Sequence, residues 1–223
     1  RKQMLRVGRG YTPILIEIGK PTNPILAVGA HLKNTIAIST GRQAFLSQHI
    51  GDLDILETVN SFQKVINDFR YLYDFCPQSI VCDAHPDYYS TRYTQKQNIP
   101  VLSVQHHYAH VLACMEEHKL EAPVLGISWD GTGYGSDGTV WGGEFLKITK
   151  HSFDRIGHFR YFPLPGGEKA VKEPRRGALG ILYEIFKDDV LGMDYLTALK
   201  TFSNIEINIL TSMIQKKLNT PLT

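Results

Sequence analysis

The chain lacks several features that would have assigned it to a class at once. No apolar run approaches the ~18 residues a membrane-spanning helix needs, and the most apolar helical stretch, Gly177 to Phe186, is interrupted by Glu184. A formal net charge of +2 builds no basic field, so charge does not suggest a nucleic-acid partner. Three cysteines, Cys76, Cys82 and Cys114, form no CxxC pair and are too few for a disulfide framework, which favours a reducing compartment and a cytoplasmic protein. Cys82 and Cys114 sit in apolar contexts and are expected to be buried thiols. The opening ten residues are basic and glycine-containing and show no apolar signal core. No internal repeat or low-complexity tract is visible. What remains is an ordinary globular composition, 43% hydrophobic and 21% charged over 223 residues, enough for a full core.

Periodicity gives the organisation. The basic, glycine-rich segment Arg6 to Pro13 reads as a tail or linker, and Lys20–Pro24 as a breaker cluster marking a boundary. Ile25–Gly29, Thr35–Ser39 and Gln43–His49 read as three short strands of an antiparallel meander. Asp54 to Tyr73 carries Ile55, Val59, Phe62, Ile66 and Phe69 at helical spacing. Ser79–Cys82 (strand), Tyr88–Gln97 (helix), Val101–Val104 (strand) and His106–Glu117 (helix) then alternate, which implies parallel pairing. Pro123–Trp129 and Thr139–Ile148 bracket a glycine-rich turn, and a further strand lies near Arg155–Tyr161. The rest turns helical over Arg176–Phe186, Met193–Lys200 and Ile205–Leu218.

The chemistry concentrates in a few segments. His106 and His110 stand at i and i+4, on one helix face about 5–6 Å apart at Cβ. Such a pair either shares one cation, with a third ligand from elsewhere, or caps and packs near the strand end. His107 faces elsewhere, as a substrate contact or as packing. Asp130 ends an apolar strand and precedes Gly131-Thr132-Gly133, where glycine lets backbone amides approach an anion. Asp137-Gly138 is a favoured hairpin pair, but four glycines in the eight residues 131–138 exceed what a turn requires. In Gly29–Thr35, Lys33 can neutralise a phosphate and Asn34 can orient it, although a solvated turn lysine is the simpler reading. Asp83 and His85 stand where a strand gives way to a helix, placed to line a crevice, while Asp87 or Ser90 can cap that helix. The basic run Lys169–Arg176, with Lys172 and Arg175, precedes a helix and can meet an anion or simply face solvent.

Read together, AVGAHLKNT (from Ala27), CDAHPDYYSTRY (from Cys82), VQHHYAHV (from Val104), DGTGYGSDGTVWGGEF (from Asp130) and PLPGGEKAVKEPRR (from Pro163) resemble the HypF-type hydrogenase-maturation carbamoyltransferases. The resemblance lies in their domain like the threonylcarbamoyl-adenosine transferases. It implies an α/β fold: an actin-like ATPase (ribonuclease H-like) lobe with a mixed sheet, two phosphate-gripping hairpins on that sheet, and a helical C-terminal segment. The implied division is 1–21 as the tail of a YrdC-like domain or linker, 22–150 as the first lobe, and 151–223 as an extension towards a second lobe expected to lie beyond this chain. The implied activity is ATP-dependent transfer of a carbamoyl group from carbamoyl adenylate, made from carbamoyl phosphate and ATP, to the C-terminal cysteine of a HypE-like acceptor. By position, His106, His110 and Asp130 hold a divalent metal (zinc, iron or magnesium). Lys33, Asn34 and Gly131, Thr132 and Gly133 contact nucleotide phosphate or the carbamoyl group. Asp130, Lys33, Asn34 and His85 carry the chemistry, and Lys172 and Arg175 bind ATP or AMP. No nucleic acid or membrane partner is implied, and the piece alone is expected to be inactive. Two other readings are an actin-like-fold small-molecule kinase or ATPase, which has no need of the histidine pair, and a non-catalytic metal- or partner-binding fragment.

Overall fold

The computed structural model describes residues 11–193 and 195–223. Of the linker expected over Arg6 to Pro13, the part at 6–10 lies outside the described residues. The chain divides into two compact units, one ending at Val124 and one running from Leu125 to Thr223.

In the first unit, β1 (Ile14–Ala27) and β2 (Ala37–Leu46) form a long antiparallel hairpin. Parallel strands β3 (Ser79–Asp83) and β4 (Val101–Val104) follow, giving the sheet order β2-β1-β3-β4. The expected mixed sheet is therefore present. Helices α1 (Leu56–Leu72), α2 (Tyr89–Thr94) and α3 (His106–Glu117) alternate with the strands. The predicted apolar face of α1 buries Phe62, Val65, Ile66 and Phe69 against Leu26, Val28, Ile36, Ile38 and Ile80, forming one continuous core.

Two local readings change. Lys20–Pro24, read as a breaker cluster, lies inside β1, so residues 14–21 are strand. Register shifts between Glu17 and Thr22 and between Thr22 and Ile25 absorb the prolines. The second and third strands of the expected meander are one strand, β2. Gly41, at φ +57°, lies opposite Thr22 in that irregular stretch and carries the strand through. Cys82 is buried as expected, but Cys114 is exposed, because α3 turns His107, Val111 and Met115 inward instead.

The second unit contains β5 (Val124–Tyr134), β6 (Val140–Ile148) and β7 (Phe153–His158) in a separate sheet of order β5-β6-β7. The two glycine-rich hairpins thus stand on different sheets in different units, not on one sheet. Helices α4 (Glu168–Lys172), α5 (Pro174–Phe186) and α6 (Asn204–Gln215) follow. Leu179, Tyr183, Val190, Leu199, Phe202, Leu210 and Ile214 form their shared core. A reciprocal capping box between Ser203 and Glu206 starts α6. Among the described residues of the stretch 193–200 no α-helix forms. Successive i→i+3 bonds, Met193 to Leu196 and Leu196 to Leu199, lead instead into a 3-10 turn at Leu199–Thr201.

Arg155 on β7 ties this unit together. Its guanidinium bonds Glu144 (2.5 Å), Asp137 (2.8 Å) and the Tyr161 hydroxyl (2.6 Å), and lies 4.3 Å over the Trp141 ring. Glu144 is 2% exposed, so its charge depends on this partner. Arg155→Met is expected to destabilise the second unit by about 3 kcal/mol, because a buried carboxylate is left unpaired. Glu144→Gln in the same chain should recover part of the loss; denaturant melts of the two variants check this.

Asp137 lies within the hairpin turn between β5 and β6. Burial pushes its carboxyl up, but hydrogen bonds from the Thr139 hydroxyl and amide, the Trp141 indole and the Tyr161 hydroxyl outweigh it and hold the carboxyl well below the usual range. A folded value below the unfolded one stabilises the fold above the unfolded pKa, near 4, and that contribution is lost as pH falls further. Wild-type stability should therefore fall below about pH 4 more steeply than that of Asp137→Asn, with parallel profiles above pH 5; thermal melts across pH 2–7 read the difference.

Candidate metal and anion site

Strands β1, β3 and β4 end at one edge of the first sheet, and the loops leaving them carry most of the sequence-predicted residues. Asp83 is the last residue of β3, in register with Val104 of β4, and Gln105 caps α3 by accepting from the Tyr108 amide at 2.9 Å. This register places the Asp83 carboxylate beside the first residue of α3. Its Oδ2 lies 2.7 Å from His106 Nδ1, and its Oδ1 accepts from the His85 amide at 2.8 Å. His106 Nε2 then lies 3.2 Å from His110 Nε2, with the two rings close to perpendicular. At its other end α3 is braced by β1: Glu116 accepts from the Gly19 amide, and Lys119 Nζ donates to the Glu17 carbonyl. The Lys119 ammonium, then the Gly19 amide, hold the Glu116 carboxyl below its usual range.

The donor set fits a cation. Two nitrogens each ~2.0–2.1 Å from a tetrahedral ion are about 3.3 Å apart, close to the separation here. His107, the third imidazole of the segment, is fully buried, which settles it as packing.

His85 stacks on Tyr88 at 4.1 Å, and its Nδ1 accepts from the Asp87 amide at 3.2 Å. Tyr88 also stacks with His31 at 5.4 Å, and His31 pairs with Asp54 at 2.8 Å. Neither Asp87 nor Ser90 caps α2. Tyr88 occupies the N-cap without a side-chain bond.

The first glycine-rich loop serves structure more than its sequence suggested. Asn34 is 1% exposed, and its amide nitrogen donates to the Val28 and Ala30 carbonyls. Through these bonds Asn34 closes the turn. Lys33 is exposed at φ +49°, with its backbone amide held by Asp52 at 2.7 Å. Gly29 is irreplaceable on geometry, since a Cβ there would meet the Thr35 carbonyl at 2.3 Å and Asn34 Nδ2 at 2.9 Å, at φ +67°.

In the second unit, Asp130 and Gly131 to Gly133 are strand residues of β5, and the turn itself is Gly135–Thr139 with Gly138 at φ +79°. Asp130 is exposed, and its Oδ1 accepts from the Gly131 amide at 2.7 Å. A Cβ on Gly131 would meet nothing within 4 Å, so this position opens onto space an anion can enter. The Arg175 guanidinium bonds Glu173, Glu206 and the Thr201 carbonyl and covers the Phe202 ring at 4.4 Å, so it joins helices. Lys172 is exposed at the end of α4. Sequence reasoning missed the Arg155 node and the partner of Asp83, neither of which has a local signature.

Comparison with known proteins accords with this division. The family model described as the HypF Kae1-like domain matches residues 20–117, and the one described as carbamoyltransferase, Kae1-like domain, second subdomain, matches 126–223. Fold and site thus define a two-subdomain Kae1-like region of actin-like fold. The chain belongs to the HypF family. It is 50% identical over 217 residues to carbamoyltransferase HypF of Synechocystis sp. (strain ATCC 27184 / PCC 6803 / Kazusa), covering 96% of this chain and 28% of that protein. It is 33% identical over 229 residues to the probable carbamoyltransferase HypF of Methanocaldococcus jannaschii, covering all of this chain and 30% of that protein. The crystal structure of full-length HypF in the phosphate- and nucleotide-bound form superposes with TM-score 0.89 at 40% identity, over 97% of this chain and 34% of that one. HypF of T. kodakarensis superposes with TM-score 0.83 at 31% identity, over 98% and 30%. The chain thus spans about a third or less of each. Among the described residues no helix is long and apolar enough to cross a membrane.

Gly29→Ala is expected to destabilise the first unit by about 2 kcal/mol or more, through a forbidden φ and a backbone collision. Gly131→Ala, where space is open and φ is ordinary, should leave stability nearly unchanged. Paired denaturation curves distinguish the two.

Proposed function

We propose that the chain is the portion of a HypF carbamoyltransferase that binds a divalent cation and nucleotide phosphate while a carbamoyl group passes from carbamoyl adenylate to a cysteine of a HypE-like acceptor. The observation that carries this reading is the His106–His110 pair, with Nε2 atoms 3.2 Å apart inside a HypF-family fold. Simple phosphotransferases of this fold have no use for such a pair. Asp130 is the proposed third ligand. The exposed amides near Gly131 and the Lys33 ammonium are the proposed phosphate contacts, while Lys172 is kept as a weaker one and Asn34 and Arg175 are set aside.

In the transfer, the acceptor sulfur forms a bond to the carbamoyl carbon as the mixed-anhydride C–O bond breaks, and AMP leaves with the electron pair. A bound cation supplies electrostatic stabilisation to the phosphate oxygens of that leaving group. The chain's own part is to orient. His106 and His110 present ring nitrogens from one helix face, and the open space beside Gly131 admits phosphate. His85, held against Tyr88, lines the acceptor's approach. Cys76, Cys82 and Cys114 take no part, because the nucleophile arrives on the partner.

In full-length HypF carrying this sequence, His106→Ala with His110→Ala should remove stoichiometric zinc or iron and lower carbamoyl transfer by 100-fold or more. Asp130→Asn should weaken metal binding less. Unchanged metal content and transfer in the double variant would reject the proposal. Metal analysis, AMP binding and mass detection of the carbamoylated acceptor give the three readouts.

A further inference from the structure

The pairing of Asp83 with His106 points beyond the ligand pair itself. The Asp83 side chain is 4% exposed and sits between two donors, the His85 amide at 2.8 Å on Oδ1 and His106 Nδ1 at 2.7 Å on Oδ2. An ionised carboxylate can only accept, so Nδ1 of His106 must carry the proton. The neutral ring then has its lone pair on Nε2, the nitrogen that faces His110 Nε2. The backbone fixes the carboxylate in turn. Val81, Cys82 and Asp83 are in register with Leu102, Ser103 and Val104, the Thr91 hydroxyl donates to the Asp83 carbonyl at 3.1 Å, and the Ala84 amide donates to the Val104 carbonyl at 2.9 Å.

We infer that Asp83 is a positioning residue for the metal site: it selects the Nδ1–H tautomer of His106, locks the ring orientation and raises the donor strength of Nε2. The inference rests on the proposed cation at His106 and His110 and adds to it the residue that makes the first ligand competent. A carboxylate behind a ligating imidazole commonly changes metal affinity 10–100-fold without touching the ion. α3 places His110 one turn along the same face.

The test uses the whole chain and three variants: Asp83→Ala, the isosteric Asp83→Asn, and His106→Ala with His110→Ala. Binding is read by Co2+ absorption and by Zn2+ competition, and folding by circular dichroism. The His106 tautomer in metal-free protein is read by long-range 1H–15N correlation, a signature that a merely structural role would not move. Asp83→Ala should weaken Zn2+ binding 10–100-fold and Asp83→Asn by about 10-fold, with the fold retained, and His106 should leave the Nδ1–H form in Asp83→Ala. If Asp83→Ala fails to fold, the isosteric variant carries the test alone. Zn2+ affinity within 2-fold of wild type in both Asp83 variants, with binding abolished in the double histidine variant, overturns the positioning role and leaves the cation site standing. An Nε2–H tautomer in the wild-type protein also overturns it. Unchanged binding in the double histidine variant instead removes the cation reading on which the inference stands.

Discussion

A single buried carboxylate, at the point where the central parallel strand ends, holds the first unit's chemistry in place. Asp83 joins β3 to α3 through His106 and to the loop before α2 through the His85 amide. Strand pairing sets where that carboxylate sits, because Asp83 is in register with Val104, one residue before the Gln105 cap. The helix then carries the second imidazole into place by its own geometry. Ordered this way, the pair of Nε2 atoms is a product of sheet register, capping and helical pitch acting in sequence.

The second unit follows the same logic with different parts. Its glycine-rich hairpin is backed by Arg155, which satisfies Glu144 and Asp137 together while covering Trp141. Charge is buried there to hold a turn, leaving the β5 residues Asp130 and Gly131 exposed. In the second unit Gly131 stays open, whereas in the first Gly29 packs against the Thr35 carbonyl and the Asn34 amide.

Much of this was legible in the chain. The 3.6-residue spacing of Phe62, Ile66 and Phe69 identified α1, and the i, i+4 spacing placed His106 and His110 on one face of α3. The hairpin chemistry of Asp137-Gly138 located the second turn. Other positions have surroundings that local pattern does not show. Pro21 and Pro24 signalled a break, yet a strand with a shifting register tolerates them. Arg175 looked like an anion contact, but a guanidinium beside Glu173 and Glu206 finds nearer partners within its own unit. Asn34 looked polar and available, but the turn needed its amide for the Val28 and Ala30 carbonyls.

Local pattern by itself determined the helices, the parallel strands and the histidine pair, because pitch, capping and turn chemistry act over a few neighbouring residues. Only the tertiary structure decided that the two glycine-rich hairpins belong to different sheets, that Arg155 closes on Glu144 across 11 residues, and that Asp83 stands behind His106 across 23. Those partners are chosen by strand register and core packing, which bring distant charges within hydrogen-bonding reach and which no short window of sequence contains.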